Sequence, residues 1–182
     1  MAGGLLVEVD ARQVGALADE LGATEAQLEA ALKSAYGRMA RWLRTRAVRG
    51  LSAHLGVQQK ILRGRIRTFR LQGGVSTGGD GAKVWFGLQP ISLMRLGARQ
   101  TAQGVRAGGR MYPGAFIATV NGRRGVYRRV GKERVPLEAV TLDISDKALT
   151  YVEDELIGTA EFDAQLQKFI EHEIRWRTRL LR

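Results

Sequence analysis

Ala115-Phe-Ile-Ala-Thr-Val-Asn-Gly-Arg-Arg-Gly-Val-Tyr-Arg-Arg-Val130 carries the strongest local signal in the chain. Asn121-Gly122 fits a type I′ turn, whose two central residues both need positive φ, and apolar runs flank it. The stretch reads as a hairpin of 115–120 with 123–130. A second turn at Gly131-Lys132 leads into 134–142, which makes three consecutive strands an antiparallel meander.

Helical periods lie on both sides of the meander. Upstream, Thr24-Glu25-Ala26-Gln27 has the form of a capping box, in which the threonine hydroxyl accepts from the N3 amide and the glutamine reaches back. Leu28, Leu32, Ala35, Met39 and Leu43 then recur at three and four residues, with Tyr36 and Trp42 beside them. This predicts a long amphipathic helix from Thr24 to Val48, ended by Gly50. Its acids precede its arginines, an order that complements the helix dipole. Val14, Leu17 and Leu21 predict a shorter helix that stops at Gly22, and 5–9 could add a short strand. Downstream, Ser145 can cap a helix over 146–156, and a last helix from Glu161 to about Leu180 buries Phe162, Leu166, Phe169, Ile170 and Ile174.

Between the long helix and the meander, 57–62 reads as a short helix, and 65–71 and 83–88 as two strands. The glycine-rich run within 72–82 between those strands reads as a flexible loop. The segment 95–114, rich in glycine and arginine and without a clear period, reads as a long extended loop. Loops of that length inside a small domain are usually functional. The order helix, strands, helices gives the expected fold class: α+β, a single domain over 1–182, with the long helix and the C-terminal helices packed on one face of a small antiparallel sheet.

The net charge of +11 is unevenly placed. Residues 1–32 carry a net of −5, residues 33–134 hold 22 bases against Asp80 and Glu133 for +20, and residues 135–182 carry −4. An arginine-rich middle between acidic ends implies a polyanion partner or complementary contact between copies. Cysteine is absent, which excludes disulfides and thiolate chemistry and suits a reducing cytosol. The chain has no apolar run of membrane-spanning length, and its start, with two acids and no basic region, does not read as a secretory signal.

Little in the sequence points to catalysis. His54 and His172 lack metal-ligand spacing, and the neighbours in Glu171-His172-Glu173 fall on different faces of a helix. No GxSxG elbow is present, and the glycines at 73–81 and 104–109 miss the P-loop pattern. The acids near the chain ends read as solvated helix faces. Trp42 and Trp176 read as packing residues, and Trp85 beside Phe86 as half core. No enzyme and no cofactor are expected.

The arginines carry the positive signal. Arg95, Arg99, Arg106 and Arg110 line 95–114, while Arg123, Arg124, Arg128, Arg129, Lys132 and Arg134 crowd the hairpin and its following turn. Alternation puts Arg124 and Arg128 on one face of the strand and Arg123 and Arg129 on the other, so the hairpin is expected to project. These ten residues are the candidate contact set, toward DNA phosphate or toward an acidic protein surface. Aromatic residues at base-stacking spacing are missing, which argues against sequence-specific or single-strand recognition.

One block resembles a known family. Leu88-Gln-Pro-Ile-Ser-Leu-Met-Arg-Leu-Gly97, Ala98-Arg-Gln-Thr-Ala-Gln-Gly-Val-Arg-Ala-Gly-Gly109 and Arg110-Met-Tyr-Pro-Gly-Ala-Phe-Ile-Ala118 are similar to the signature of the prophage minor tail protein Z family. Gly125-Val-Tyr-Arg-Arg-Val-Gly-Lys-Glu-Arg-Val-Pro-Leu-Glu138 and the 38–49 helix with 58–67 resemble the same family, and the likeness covers roughly 25–180. The resemblance implies a structural virion protein with a tail-terminator or neck-like layout, assembled in the bacterial host cytoplasm. It implies tail completion and head–tail joining, as a homo-oligomeric ring, by analogy a hexamer. The implied partners are other copies, the tail tube or tail terminator protein, head–neck connector proteins and DNA passing through an arginine-lined lumen, with no membrane. The alternative reading is a basic, non-specific nucleic-acid-binding protein that works as a monomer or dimer.

Overall fold

A computed structural model describes residues 4–6, 11–71 and 81–179. Its longest element is the helix α2, Glu25–Leu55, which follows α1, Ala11–Glu20. The capping box that starts α2 is formed. The Gln27 N–H donates to Thr24 Oγ1 at 3.3 Å, and Gln27 Oε1 accepts from the Thr24 N–H at 2.8 Å. One row of side chains at four-residue spacing (Ala31, Ala35, Met39, Leu43, Ala47, Leu51 and Leu55) is buried along the whole helix. Leu28 and Leu32, expected in that stripe, are only half-buried.

Gly50 does not end the helix, contrary to expectation. The chain runs through it for five further residues and stops at Gly56, whose φ of 65° provides the left-handed C-cap. Gly50 serves packing instead: a Cβ at this position would overlap the Tyr151 ring, which also lies 5.1 Å from the His54 ring.

After α3, Gln59–Arg63, come β2, Ile66–Leu71, and β3, Gly81–Phe86. These pair antiparallel, with β1, Gly4–Leu6, on the other edge of β3. Ala82, Val84 and Phe86 alternate into the core, while Trp85 between them is half-buried. Residues 72–80 of the expected flexible loop lie outside the described residues, and Gly81 and Ala82 belong to β3.

The segment 95–114 is not a loop. A short pair partner β4, Ile91–Ser92, and a 3₁₀ turn, Leu93–Leu96, lead into three strands: β5, Arg99–Thr101, β6, Gly104–Ala107, and β7, Arg110–Pro113. They form an antiparallel sheet in the order β5-β6-β7 whose inner side buries Val105 and Ala107. Strands of three and four residues divided by glycines are too short to show a period in sequence.

The meander is present as expected. β8, Phe116–Val120, and β9, Arg123–Arg129, are joined by Asn121 and Gly122 at φ 49° and 73°, the two left-handed residues of a type I′ turn. β10, Leu137–Ala139, lies on the other edge of β9. The third strand is shorter than expected, because Thr141–Leu142, here β11, leaves the meander to pair with β4.

Ser145 does not cap the helix that follows. α4, Ser145–Tyr151, starts from Ile144 without a side-chain cap, and it is Asp143 Oδ1 that accepts the Ser145 N–H at 2.9 Å. The chain continues as a π turn, Val152–Ile157, and then as α5, Ala160–Arg179, which buries Phe162, Leu166, Ile170 and Ile174 against α2. The fold class is α+β: long helices near both ends and small antiparallel sheets, four of them among the described residues rather than one. Buried apolar side chains from all four sheets join those of α2 and α5 in a common core cluster.

Candidate interaction surface

All ten candidate basic residues are exposed. The β5–β6 register sets Arg99 directly opposite Arg106, and the β6–β7 register sets Arg106 opposite Met111, itself 43% exposed. Directly opposed side chains of an antiparallel pair share a face, so two guanidinium groups stand side by side on the outer side of this sheet. Like charges so placed oppose folding, and nothing on the inner side requires them.

Gln100 fastens this sheet to the meander. Its side-chain Nε2 donates to the Gly104 carbonyl at 3.1 Å, and its Oε1 accepts from the Ile117 N–H at 2.9 Å. The junction leaves an open hollow of about 570 Å³, to which Arg99, Gln100, Thr119 and Arg124 contribute. Residues far apart in sequence thus meet: Arg99 of β5 and Arg124 of β9. A second hollow of about 420 Å³ lies by Arg99 and Arg106 beside Gly97, Gly108 and Gly109.

The other candidates divide by role. Arg110 Nη2 donates to the carbonyl of Leu55, the last residue of α2, at 3.2 Å, so this arginine closes a helix end. Arg95 acts on Arg65: burial first, and then the Arg95 charge, hold the Arg65 guanidinium below its ordinary pKa. Arg65 Nε meanwhile donates to the Gly87 carbonyl at 2.9 Å. Arg128 is register partner to Glu138 across β9–β10. Arg129 lies over the Phe116 ring at 5.8 Å. Arg123 opens β9 at the turn, where its register partner is Val120. Lys132 and Arg134 stand in the β9–β10 loop, between Val130 and Val135.

Sequence reasoning missed one charged site. Glu173, grouped with solvated acids, is buried to 9% exposure where α5 crosses α2. Its Oε1 accepts from Arg38 Nη1 at 2.8 Å and its Oε2 from Arg177 Nη1 at 2.5 Å, while Arg177 Nη2 reaches Ser34 Oγ at 2.8 Å. Burial alone would raise the Glu173 pKa, but hydrogen bonds and charge from Arg177 and Arg38 outweigh it, and the net shift is downward. Arg38 lies 135 positions from Glu173, so no local pattern could have marked it, whereas Arg177, four positions on, was within reach of the helical pairing rule. Trp176, expected to pack, is 54% exposed, whereas Trp42 is half-buried beneath Arg46 at 5.2 Å. Among the described residues, no group of acids and histidines is placed to hold a metal ion, and no helix is long and apolar enough to cross a membrane.

The sequence that builds this surface matches a family of phage tail proteins over residues 89–181, just over half of the chain and the part that holds all ten candidates. The chain belongs to the family of prophage minor tail protein Z and is a structural component of a phage tail. Neither a curated protein nor a solved structure matches it.

Proposed function

We propose that this protein completes the phage tail and joins it to the head, standing as a closed ring, by expectation hexameric, at the tail's upper end. Its neighbours there are other copies, the tail tube or tail terminator protein and the head–neck connector proteins. Family membership supports the tail role, and the side-by-side Arg99 and Arg106, with Arg124 at the neighbouring hollow, support a surface turned toward DNA. Such a surface suits phosphate, which guanidinium groups bind without reading sequence. In this reading Arg99, Arg106 and Arg124, with Arg95 and Arg123 nearer the edges, face the DNA in the lumen. Arg128, Arg129, Lys132 and Arg134 face protein.

The test is a phage with this gene disrupted, viewed by electron microscopy. Filled heads and full-length tails that stay apart, and that join when the wild-type protein is supplied, are the expected result. Absence of tails would overturn the reading. The same arginines also suit a non-specific nucleic-acid-binding protein that acts as a monomer or dimer. Light scattering on the purified protein separates the two, since only the first gives a stable higher assembly.

A further inference from the structure

Two exposed surfaces of the chain share one layout with opposite charge. The first is the β9–β10 loop, closed by a hydrogen bond from the Val130 N–H to the Pro136 carbonyl at 3.3 Å. Val130 and Val135 stand 65% and 67% exposed at its two ends. Arg128, Arg129, Lys132 and Arg134 surround them, against two acids, Glu133 and the Glu138 that stands opposite Arg128. The second is the outer side of α4, where Leu149 is 46% exposed. Asp146 lies one turn before it and Glu153 one turn after, followed by exposed Asp154 and Glu155 in the π turn, with Lys147 as the one base of α4.

A single exposed apolar side chain is ordinary. An apolar centre inside a charged rim, met twice in one chain with opposite signs, is the anatomy of two matching halves of an interface. Both surfaces remain exposed, so neither covers the other within one copy. Phosphate gains nothing from the two valines, which sets this loop apart from the Arg99 surface. We infer that the 130–135 loop of one copy docks on the outer side of α4 of a second copy, Val130 and Val135 against Leu149, with Arg129, Lys132 and Arg134 beside Asp146 and Glu153. This rests on the ring reading above and specifies its contact. The two surfaces differ, so the contact is heterologous and repeats from copy to copy until rotation closes a ring.

The absence of native cysteine makes the test direct. The full chain carrying Val135→Cys and Leu149→Cys is oxidised at low concentration and run on a denaturing gel without reductant, beside each single variant. The expected result is a disulfide-linked ladder from the double variant that ends at the ring's copy number, and no ladder from either single variant. Wild-type protein that assembles by light scattering, with no ladder from the double variant, overturns this contact and leaves the ring reading standing. Wild-type protein that stays monomeric overturns both. As an independent measure, Arg134→Glu weakens assembly at least about tenfold, and adding Glu153→Arg in the same chain restores it. Failure of that rescue, with both variants melting as wild type, likewise overturns the contact.

Discussion

Arg99 and Arg106 are register partners in the β5–β6 pair, two positive side chains placed where an opposite charge would stabilise the sheet. A fold selected for stability alone would not hold them there. Arg99→Glu is therefore expected to raise stability by about 0.5 kcal/mol, one to two degrees in Tm for a chain of this size. The same change lowers affinity for duplex DNA and makes the slope of log affinity against log salt shallower by about one or two. Thermal melting and a salt titration check the two halves. A variant that melts lower and binds DNA as before would contradict both.

The Glu173 site predicts an acid dependence. Its pKa is lowered in the folded chain, so its contribution is fully present above the ordinary carboxyl range and is lost as pH falls through the lowered native value. Glu173→Gln is expected to destabilise by about 2 kcal/mol at neutral pH, because the bonds from Arg38 and Arg177 lose their charged acceptor. Toward acid pH the difference between variant and wild type shrinks. Denaturant melts from neutral to acid pH measure it, and a gap that stays constant would remove Glu173 from the account.

At Gly50 two effects compete. Alanine gains about 1 kcal/mol of helix propensity over glycine, but its Cβ would enter the Tyr151 ring. Overpacking of this kind costs about 1–3 kcal/mol, so Gly50→Ala is expected to destabilise. Pairing it with Tyr151→Leu recovers most of the loss, a coupling that a double-mutant cycle of denaturant melts would reveal.

Arg110 and Arg106 separate structure from contact. Arg110→Ala frees the Leu55 carbonyl and is expected to cost about 1 kcal/mol, with faster amide exchange at the end of α2. Arg106→Ala removes a side chain that opposes another positive charge, and stability holds or rises. Equal losses from the two would mean that Arg106, like Arg110, holds the fold together.

Local chemistry made several elements legible. Thr24 and Gln27 form the two hydrogen bonds that their spacing implies, and Asn121 and Gly122 adopt the backbone that their pairing implies. What escaped depends on distant partners. Gly50 resembles a stop signal until Tyr151 is seen filling its place. Glu173 resembles any exposed acid until Arg38 arrives from another helix. The arginines at 99 and 106 were visible as charge, but their opposition is a matter of register, and the short strands that set it leave no period to read.

Mechanically, α2 is a strut. Its 31 residues span about 46 Å, held by Arg38 and Ser34 toward α5 in its first half and at its final carbonyl by Arg110. A displacement of the β5-β6-β7 sheet would reach the rod at its last carbonyl through Arg110, at the end away from the clamp at Glu173. A strain gauge built into this protein would belong at those two grips, since Arg44 ties the shaft between them to the carbonyls of Arg63 and Ile66.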